Sequence, residues 1–307
     1  MEFADLYIIF SDLNQQKEVK SVLVTGSNGQ LGSELQLLAN EDSHEIDWIF
    51  INRFELDFLD LQAISDRLDF YKPDVIINCA AYTAVDKAES EFKLAEIINH
   101  QAVGVIANWT NSNNKKLIHI STDYVFDGKS NIPLTEDSET APLNVYGKTK
   151  LMGEIICIKE DPNSIVIRTS WVYSRFGTNF VKTMLQLMKE RDQLKIVNDQ
   201  FGSPTSAADL ASAIISIIFG VKWDPGIYHF SNEGEITWYQ FAKDIKELMG
   251  LTCQLIPITS TEYTIPTKRP AFSILDKSKI KQHFNVLVSD YKESLRKCLE
   301  HIIIHNK

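Results

Sequence analysis

Cysteine is scarce and scattered. Cys79, Cys157, Cys253 and Cys298 form no CxxC pair and have few histidines nearby, so neither a disulfide framework nor a zinc site is signalled, and a reducing compartment fits best. Positive charge is also short. Against 41 acidic residues stand 31 basic ones, a net charge of -10, so the bulk field repels nucleic acid and anionic lipid, and any anionic ligand needs a local cradle. No apolar run approaches the roughly 20 residues that span a bilayer, and Leu6 to Phe10 follows acidic Glu2 and Asp5, which argues against export and membrane insertion. The expectation is a cytoplasmic protein with no nucleic-acid or membrane partner. No internal repeat or low-complexity segment is visible either. What is present is 307 residues, 44% hydrophobic and 23% charged, enough for one large α/β unit or two joined domains.

From Lys20 to about Arg168, short β-branched runs alternate with longer amphipathic stretches, the pattern of strand, crossover helix and parallel strand. Strands are expected at Ser21 to Thr25, Trp48 to Asn52, Asp74 to Asn78, Lys116 to Ile120 and Ser164 to Arg168. Helices are expected near Gln30 to Ala39, Leu61 to Tyr71, Ala88 to Asn111 and Val145 to Glu160. Right-handed crossovers then give a Rossmann-type, doubly wound parallel sheet over residues 19–170. Beyond Trp171 the alternation loosens into helices near Asn179 to Arg191, Thr205 to Phe219, Trp238 to Met249 and Tyr291 to Ile304. Residues 171–307 read as a smaller, mainly substrate-binding C-terminal region with segments returning to the first domain. Residues 1–18 have no evident place in this core; a leader, an added strand through Tyr7 to Phe10 and a misassigned start all fit them.

Strand Ser21 to Thr25 runs into GSNGQLG, with Gly26, Gly29 and Gly32 three apart at the mouth of the first helix. Glycine allows the tight turn and the close approach of backbone N–H groups to a pyrophosphate. The helix N-terminus adds a positive potential of about half an elementary charge. A glycine triplet alone is a weak signal, but here it follows a strand and opens a helix in a βαβ series, which points to dinucleotide binding. Some 20 residues on, where a carboxylate would hold a free ribose 2′-hydroxyl, the chain has Asn52 and Arg53. Arg53 can pair with a 2′-phosphate, so NADPH is preferred with NADH tolerated; Asp57 can accept from the adenine amino group.

Tyr146 and Lys150 in YGKTK lie four apart at a helix start, on one face. A tyrosine is a poor proton donor or acceptor near neutrality, and an adjacent ammonium is expected to lower its pKa. The pair follows the fourth strand run, KLIHI, which ends in Ser121 and Thr122 at the edge where ligands bind in open α/β sheets. Thr122 can donate to a substrate carbonyl, Tyr146 can protonate the same oxygen and Lys150 can tune Tyr146. Together they make a carbonyl-reducing or alcohol-oxidising site beside a nicotinamide.

These motifs resemble the extended short-chain dehydrogenase/reductases and, within them, the dTDP-4-dehydrorhamnose reductases. The resemblance runs from about Lys20 to Leu275. It is carried by TGSNGQLG from Thr25, NCAAYTAVDKAE from Asn78, STDYVFDG from Ser121, PLNVYGKTK from Pro142, RTSWVYS from Arg168, DQFGSPT from Asp199 and RPAFSILD from Arg269. It implies the last step of dTDP-L-rhamnose synthesis, an oxidoreductase reaction feeding cell-surface polysaccharide: hydride from NADPH or NADH reaches C4 of dTDP-4-dehydro-β-L-rhamnose. Thr122, Tyr146 and Lys150 would be catalytic. Gly26, Asn28, Gly29, Gln30, Leu31, Asn52, Arg53, Asp57, Ala80, Ala81, Tyr82 and Asn99 would serve the cofactor with Tyr146 and Lys150, Asn99 backing the lysine through solvent. Thr83, Val85, Asp123, Tyr124, Trp171, Asn179, Gln200 and Arg269 would face the nucleotide sugar.

Some members of that family hold magnesium at a dimer interface through glutamates. Glu34 matches one of them, but Ser206, Ala207 and Ala208 stand where another is expected, so magnesium is doubtful, no required metal is expected, and monomer and homodimer both stay open. Two other readings remain. One is a nucleotide-sugar epimerase or dehydratase, against which Tyr124 stands where dehydratases carry the second residue of an Asp-Glu pair. The other is a non-catalytic NADP-binding regulatory subunit resembling the β subunit of methionine adenosyltransferase.

Overall fold

The computed structural model describes residues 19–41, 46–263 and 267–305. The three readings of residues 1–18 therefore lie outside the described residues. Five strands run in the order expected: β1 (Ser21–Thr25), β2 (Asp47–Ile51), β3 (Val75–Asn78), β4 (Lys116–Thr122) and β5 (Ile165–Thr169). All pair in parallel within one six-stranded sheet, whose sixth member comes from the second half of the chain. β1, β3, β4 and β5 are buried almost throughout because helices cover both faces, which leaves no solvent side for polar residues to alternate onto.

On one face Val22, Val24, Ile77 and Ile167 pack under α1 (Gln30–Glu41) and, later in the chain, under Leu210 and Ile214. On the other, Leu23, Ile76, Leu117 and Val166 meet α2 (Leu61–Tyr71) through Ile64 and Leu68, along with Val103 and Ile106. Each such fully buried aliphatic side chain contributes about 1.5–3 kcal/mol.

The stretch expected as one helix from Ala88 to Asn111 is four pieces. α3 (Val85–Ala88) ends at a turn. α4 (Phe92–Glu96) then passes through a π-helical turn at Ile97–Gln101 into α5 (Ala102–Ser112). The extra residue of the π turn turns Asn99 inward, where it is fully buried; such bulges concentrate at functional sites. α6 (Val145–Glu160) matches its expected limits, with Asn144 capping it through Gly147 N.

Beyond β5 come β6 (Val172–Tyr173), α7 (Phe180–Glu190), β7 (Gln193–Val197), β8 (Phe201–Gly202), β9 (Thr205–Ser206), α8 (Ala207–Ile218), β10 (Gly226–Phe230), β11 (Ile236–Thr237), α9 (Trp238–Leu248), β12 (Gln254–Ile258), α10 (Ser278–Phe284) and α11 (Tyr291–His305). Strands β7, β10 and β12 were not expected from the sequence. β10 pairs in parallel with β5 and forms the sheet's far edge, while β7 and β12 pair with each other. A second core gathers Val181, Leu185, Phe241, Ile245, Leu295 and Leu299 from α7, α9 and α11. Among the described residues, no helix is long and apolar enough to cross a membrane.

Candidate active site

The glycine loop leaves β1 at its C-terminal end. Gly26 has φ +64, and a Cβ there would stand 2.8 Å from Ala80 N; at Gly32 it would stand 2.5 Å from Gly26 O. Both positions therefore require glycine, one for its backbone conformation and both for space. Gly29 N donates to Gly26 O at 2.9 Å, closing the turn. The first N–H groups of α1 have no intrahelical acceptors, so the cradle keeps donors for an anion. Leu31 buries its side chain in the core and has only its backbone to offer. Gln30 turns its amide to Val172 O and Asn179 rather than into the cradle.

Beside this loop lies a cleft of about 330 Å³ lined by Gly26, Asn52, Arg53, Asp57, Ala80, Ala81 and Tyr82, half of the expected cofactor residues, together with Thr83 from the expected substrate set. Arg53 is exposed, its guanidinium 6.0 Å from the Phe54 ring centre. Asn52 and Asp57 accept from Phe54 N and Leu59 N, local turns that hold their oxygens. The enclosed shape and the cradle fit a dinucleotide. Asn99 grips the next segment: its Oδ1 accepts from Tyr82 N at 2.8 Å, and its Nδ2 donates to Tyr82 O and Thr149 Oγ1, both at 3.1 Å.

β4 ends in Thr122, which caps a short 3-10 turn by accepting from Tyr124 N and donates to Asp123 Oδ1 at 3.1 Å. Burial pushes the Asp123 carboxyl up to about 6, against the pull of hydrogen bonds from Ser273 and Thr122. On α6, one turn apart, stand Tyr146 and Lys150. Tyr146 meets the Tyr124 ring edge-on, centroids 5.5 Å apart.

Burial also raises the Tyr146 phenol above the ordinary tyrosine value. A hydrogen bond with Thr122 pulls it back, while Asp123 and Tyr124 add to the rise. Lys150, 2% exposed, donates to Ile120 O at 2.6 Å, and burial pulls its ammonium down to about 8, with Glu154, Cys157 and Cys79 opposing. This corrects one expectation: instead of the lysine lowering the tyrosine, desolvation raises the phenol and lowers the amine. The helix carrying both is pinned by Glu154, which takes two hydrogen bonds from Arg168 Nε and Nη2 (3.0 and 2.7 Å) and one from Ser121.

The second cavity, about 930 Å³, opens next to Tyr124 and is walled by Phe180, Leu187, Leu194, Trp238, Gln200 and Arg269, among others. Arg269 reaches both Asp86, at 3.2 Å, and Tyr124, whose phenol burial pushes up to about 12. Trp171, at φ +48, stacks on Trp238 with centroids 3.5 Å apart, and a Cβ at Gly202 would stand 2.5 Å from its ring. Thr83 lines the cofactor cleft and Val85 opens α3.

Asn179 departs from its expected role. Its Oδ1 caps α7 through Lys182 N while its Nδ2 donates to Ser174 O, Phe176 O and Gln30 Oε1, so it is a structural joint and not a wall of the cavity. Glu34 accepts from Ser174 Oγ and pairs with Arg175 at 3.4 Å. Among the described residues, no group of three or more His, Cys, Asp or Glu is placed to hold a metal ion.

The model of the family described as RmlD substrate binding domain matches residues 20–304. The dTDP-4-dehydrorhamnose reductase of Aggregatibacter actinomycetemcomitans is 41% identical over 286 residues, covering 90% of this chain and 97% of its own. The spore coat polysaccharide biosynthesis protein SpsK of Bacillus subtilis (strain 168) is 39% identical over 283 residues, 91% and 96% of the two chains. The crystal structure of dTDP-4-dehydrorhamnose reductase from Bacillus anthracis in complex with NADP superposes with a TM-score of 0.87 at 34% identity, over 92% of this chain and all of that one.

Proposed function

This chain belongs to the RmlD substrate binding domain family, and from that membership we propose that it reduces the C4 ketone of dTDP-4-dehydro-β-L-rhamnose to the alcohol of dTDP-L-rhamnose. It is an oxidoreductase dependent on a nicotinamide cofactor. Bound NADPH or NADH supplies the hydride. One observation supports the assignment of roles: Tyr146 shares a hydrogen bond with Thr122 at the C-terminal end of β4, and Lys150 donates to Ile120 O two residues before it.

Thr122 Oγ1 donates to the C4 carbonyl oxygen, and Tyr146 Oη gives that oxygen its proton as negative charge builds there. Lys150 holds its amine one helical turn along from the tyrosine, against Ile120 O on the strand that carries Thr122. Asp123, Tyr124 and Trp171 frame the hexose, and Gln200 and Arg269 face the nucleotide diphosphate, where a guanidinium is a suitable partner. Asn52 and Arg53 favour NADPH over NADH. The enzyme needs no metal and works in the cytoplasm as a monomer or homodimer.

The test supplies enzymatically made dTDP-4-dehydro-6-deoxyhexose together with a 3,5-epimerase and follows NADPH absorbance. Substrate-dependent oxidation yielding a 6-deoxyhexose reduced at C4 is expected. Retained cofactor with no net oxidation would favour an epimerase instead.

A further inference from the structure

Three polar side chains interrupt the apolar face that β1, β3 and β4 turn toward α2, α5 and α6. Thr25, Asn78 and His119 occupy neighbouring registers on these strands, following Leu23, Ile76 and Leu117 on the same face. Thr25 and Asn78 are 1% exposed and His119 is fully buried, so each polar atom must find a partner inside the protein. The partners form a chain with one direction. Ala80 N donates to Thr25 Oγ1 at 3.3 Å, which leaves the Thr25 proton for Asn78 Oδ1 at 2.7 Å. Asn78 Nδ2 then faces His119 Nδ1 at 3.0 Å, and the opposite ring nitrogen, Nε2, stands 3.5 Å from Lys150 Nζ. An amide nitrogen only donates, so His119 Nδ1 accepts and the ring proton sits on Nε2.

We infer that the Thr25, Asn78 and His119 ladder fixes His119 in its Nε2–H tautomer and aims that N–H at Lys150 Nζ, making His119 a positioning residue that favours the neutral amine. The neutral amine fits its surroundings: it donates to Ile120 O and offers its lone pair to the His119 N–H, whereas an ammonium would oppose two donors. Burial keeps His119 neutral, well below the ordinary histidine value, and any charge on Lys150 pushes the same way. The titratable groups facing Lys150 are His119 on β4, Cys79 beyond β3, and Glu154 and Cys157 on its own helix, with Glu154 already committed to Arg168. Gly153 leaves this corner open, since a Cβ there would be 3.6 Å from His119 Nε2 and 2.1 Å from Asn99 O. The ladder begins at Ala80 and Thr25, which line the cofactor cleft, so it ties the cradle to the lysine.

This inference rests on Lys150 serving Tyr146 in the proposed reduction, and its test is read first without cofactor or substrate. Enzyme labelled with ¹⁵N-histidine is expected to show His119 as the neutral Nε2–H tautomer from pH 5.5 to 9. In His119→Phe the opposed N–H is gone while Ile120 O and Glu154 remain, so the Lys150 midpoint, read from its ¹³Cε shift, is expected to rise by about one pH unit. The midpoint of the kcat profile should move with it while KM stays near wild type. A purely packing role would lower kcat at every pH and move neither midpoint. An Nδ1–H tautomer, a protonated His119 in that range or an unmoved Lys150 midpoint overturns the inference. The tautomer is measured in wild-type protein, so the result stands even where the variant does not fold. A protein that shows the tautomer but fails to oxidise NADPH with the sugar would overturn the reaction and leave the ladder intact.

Discussion

Lys150 Nζ and Ile120 O lie 2.6 Å apart, so the buried amine is tied to the strand that ends, two residues later, in Thr122. This bond fixes the height of the lysine on α6 relative to the hydroxyl it works beside. It also commits a long side chain to a buried position where its charge is disfavoured.

That commitment costs stability. A lysine whose folded pKa has fallen to about 8 binds fewer protons in the folded than in the unfolded chain between there and its usual value near 10.5. Stability from this group therefore rises with pH through that window and is lowest below it. Lys150→Met should raise Tm at pH 7, by an equivalent of about 1–3 kcal/mol, with the gain shrinking toward pH 10 and turnover lost. Calorimetry at pH 7 and pH 10 decides; a destabilised variant at pH 7 would contradict the burial argument.

Tyr146→Phe removes the proton donor and keeps the ring that meets Tyr124. Turnover should fall by about 10² to 10⁴, the usual span for general acid catalysis, with dinucleotide affinity little changed. Steady-state rates and a fluorescence titration of NADPH separate the two, and unchanged turnover would dismiss Tyr146 as the acid.

Arg53 stands exposed at the rim of the cofactor cleft. Arg53→Glu replaces attraction for a 2′-phosphate with repulsion, so the ratio of kcat/KM for NADPH over NADH should drop at least about tenfold. A ratio that does not move makes Arg53 ordinary surface.

Asp123 is a second buried charge, with the opposite proton bookkeeping. Its folded pKa of about 6 lies above the unfolded value near 3.8, so the folded chain binds more protons in that window and stability from this group falls as pH climbs through it. Asp123→Asn, which still accepts from Thr122, should gain about 1–3 kcal/mol relative to wild type at pH 7 and lose that advantage near pH 4. Equal denaturant midpoints at both pH values would remove Asp123 from the list of strained groups.

The central strands were legible because parallel strands covered on both faces leave continuous aliphatic runs, as in VLV after Ser21 and VIIN from Val75. α6 was legible as one of the longer stretches between the β-branched runs, expected at Val145 to Glu160. β7 and β12 were not, since each exposes part of a short run and pairs only with the other, in a place set by the second core. The π turn was hidden because apolar periodicity cannot register one extra residue, and that residue's effect is to bury Asn99. Asn179 came from the resemblance alone, which carries a position across but not the helix cap that its side chain makes here. His119 reads as one more member of KLIHI until the strands on either side place Asn78 and Lys150 against its two ring nitrogens.

β10 completes the sheet at the open side of β5, where all five residues from Ile165 to Thr169 are buried. A chain cut after residue 170 would keep the glycine loop, Thr122, Tyr146 and Lys150, yet present that oily strand with its hydrogen-bonding groups unsatisfied along one side. Such edges template intermolecular association. Such a fragment would clump rather than survive as a free-standing module, so β10 is also what keeps the residues before it from self-adhesion.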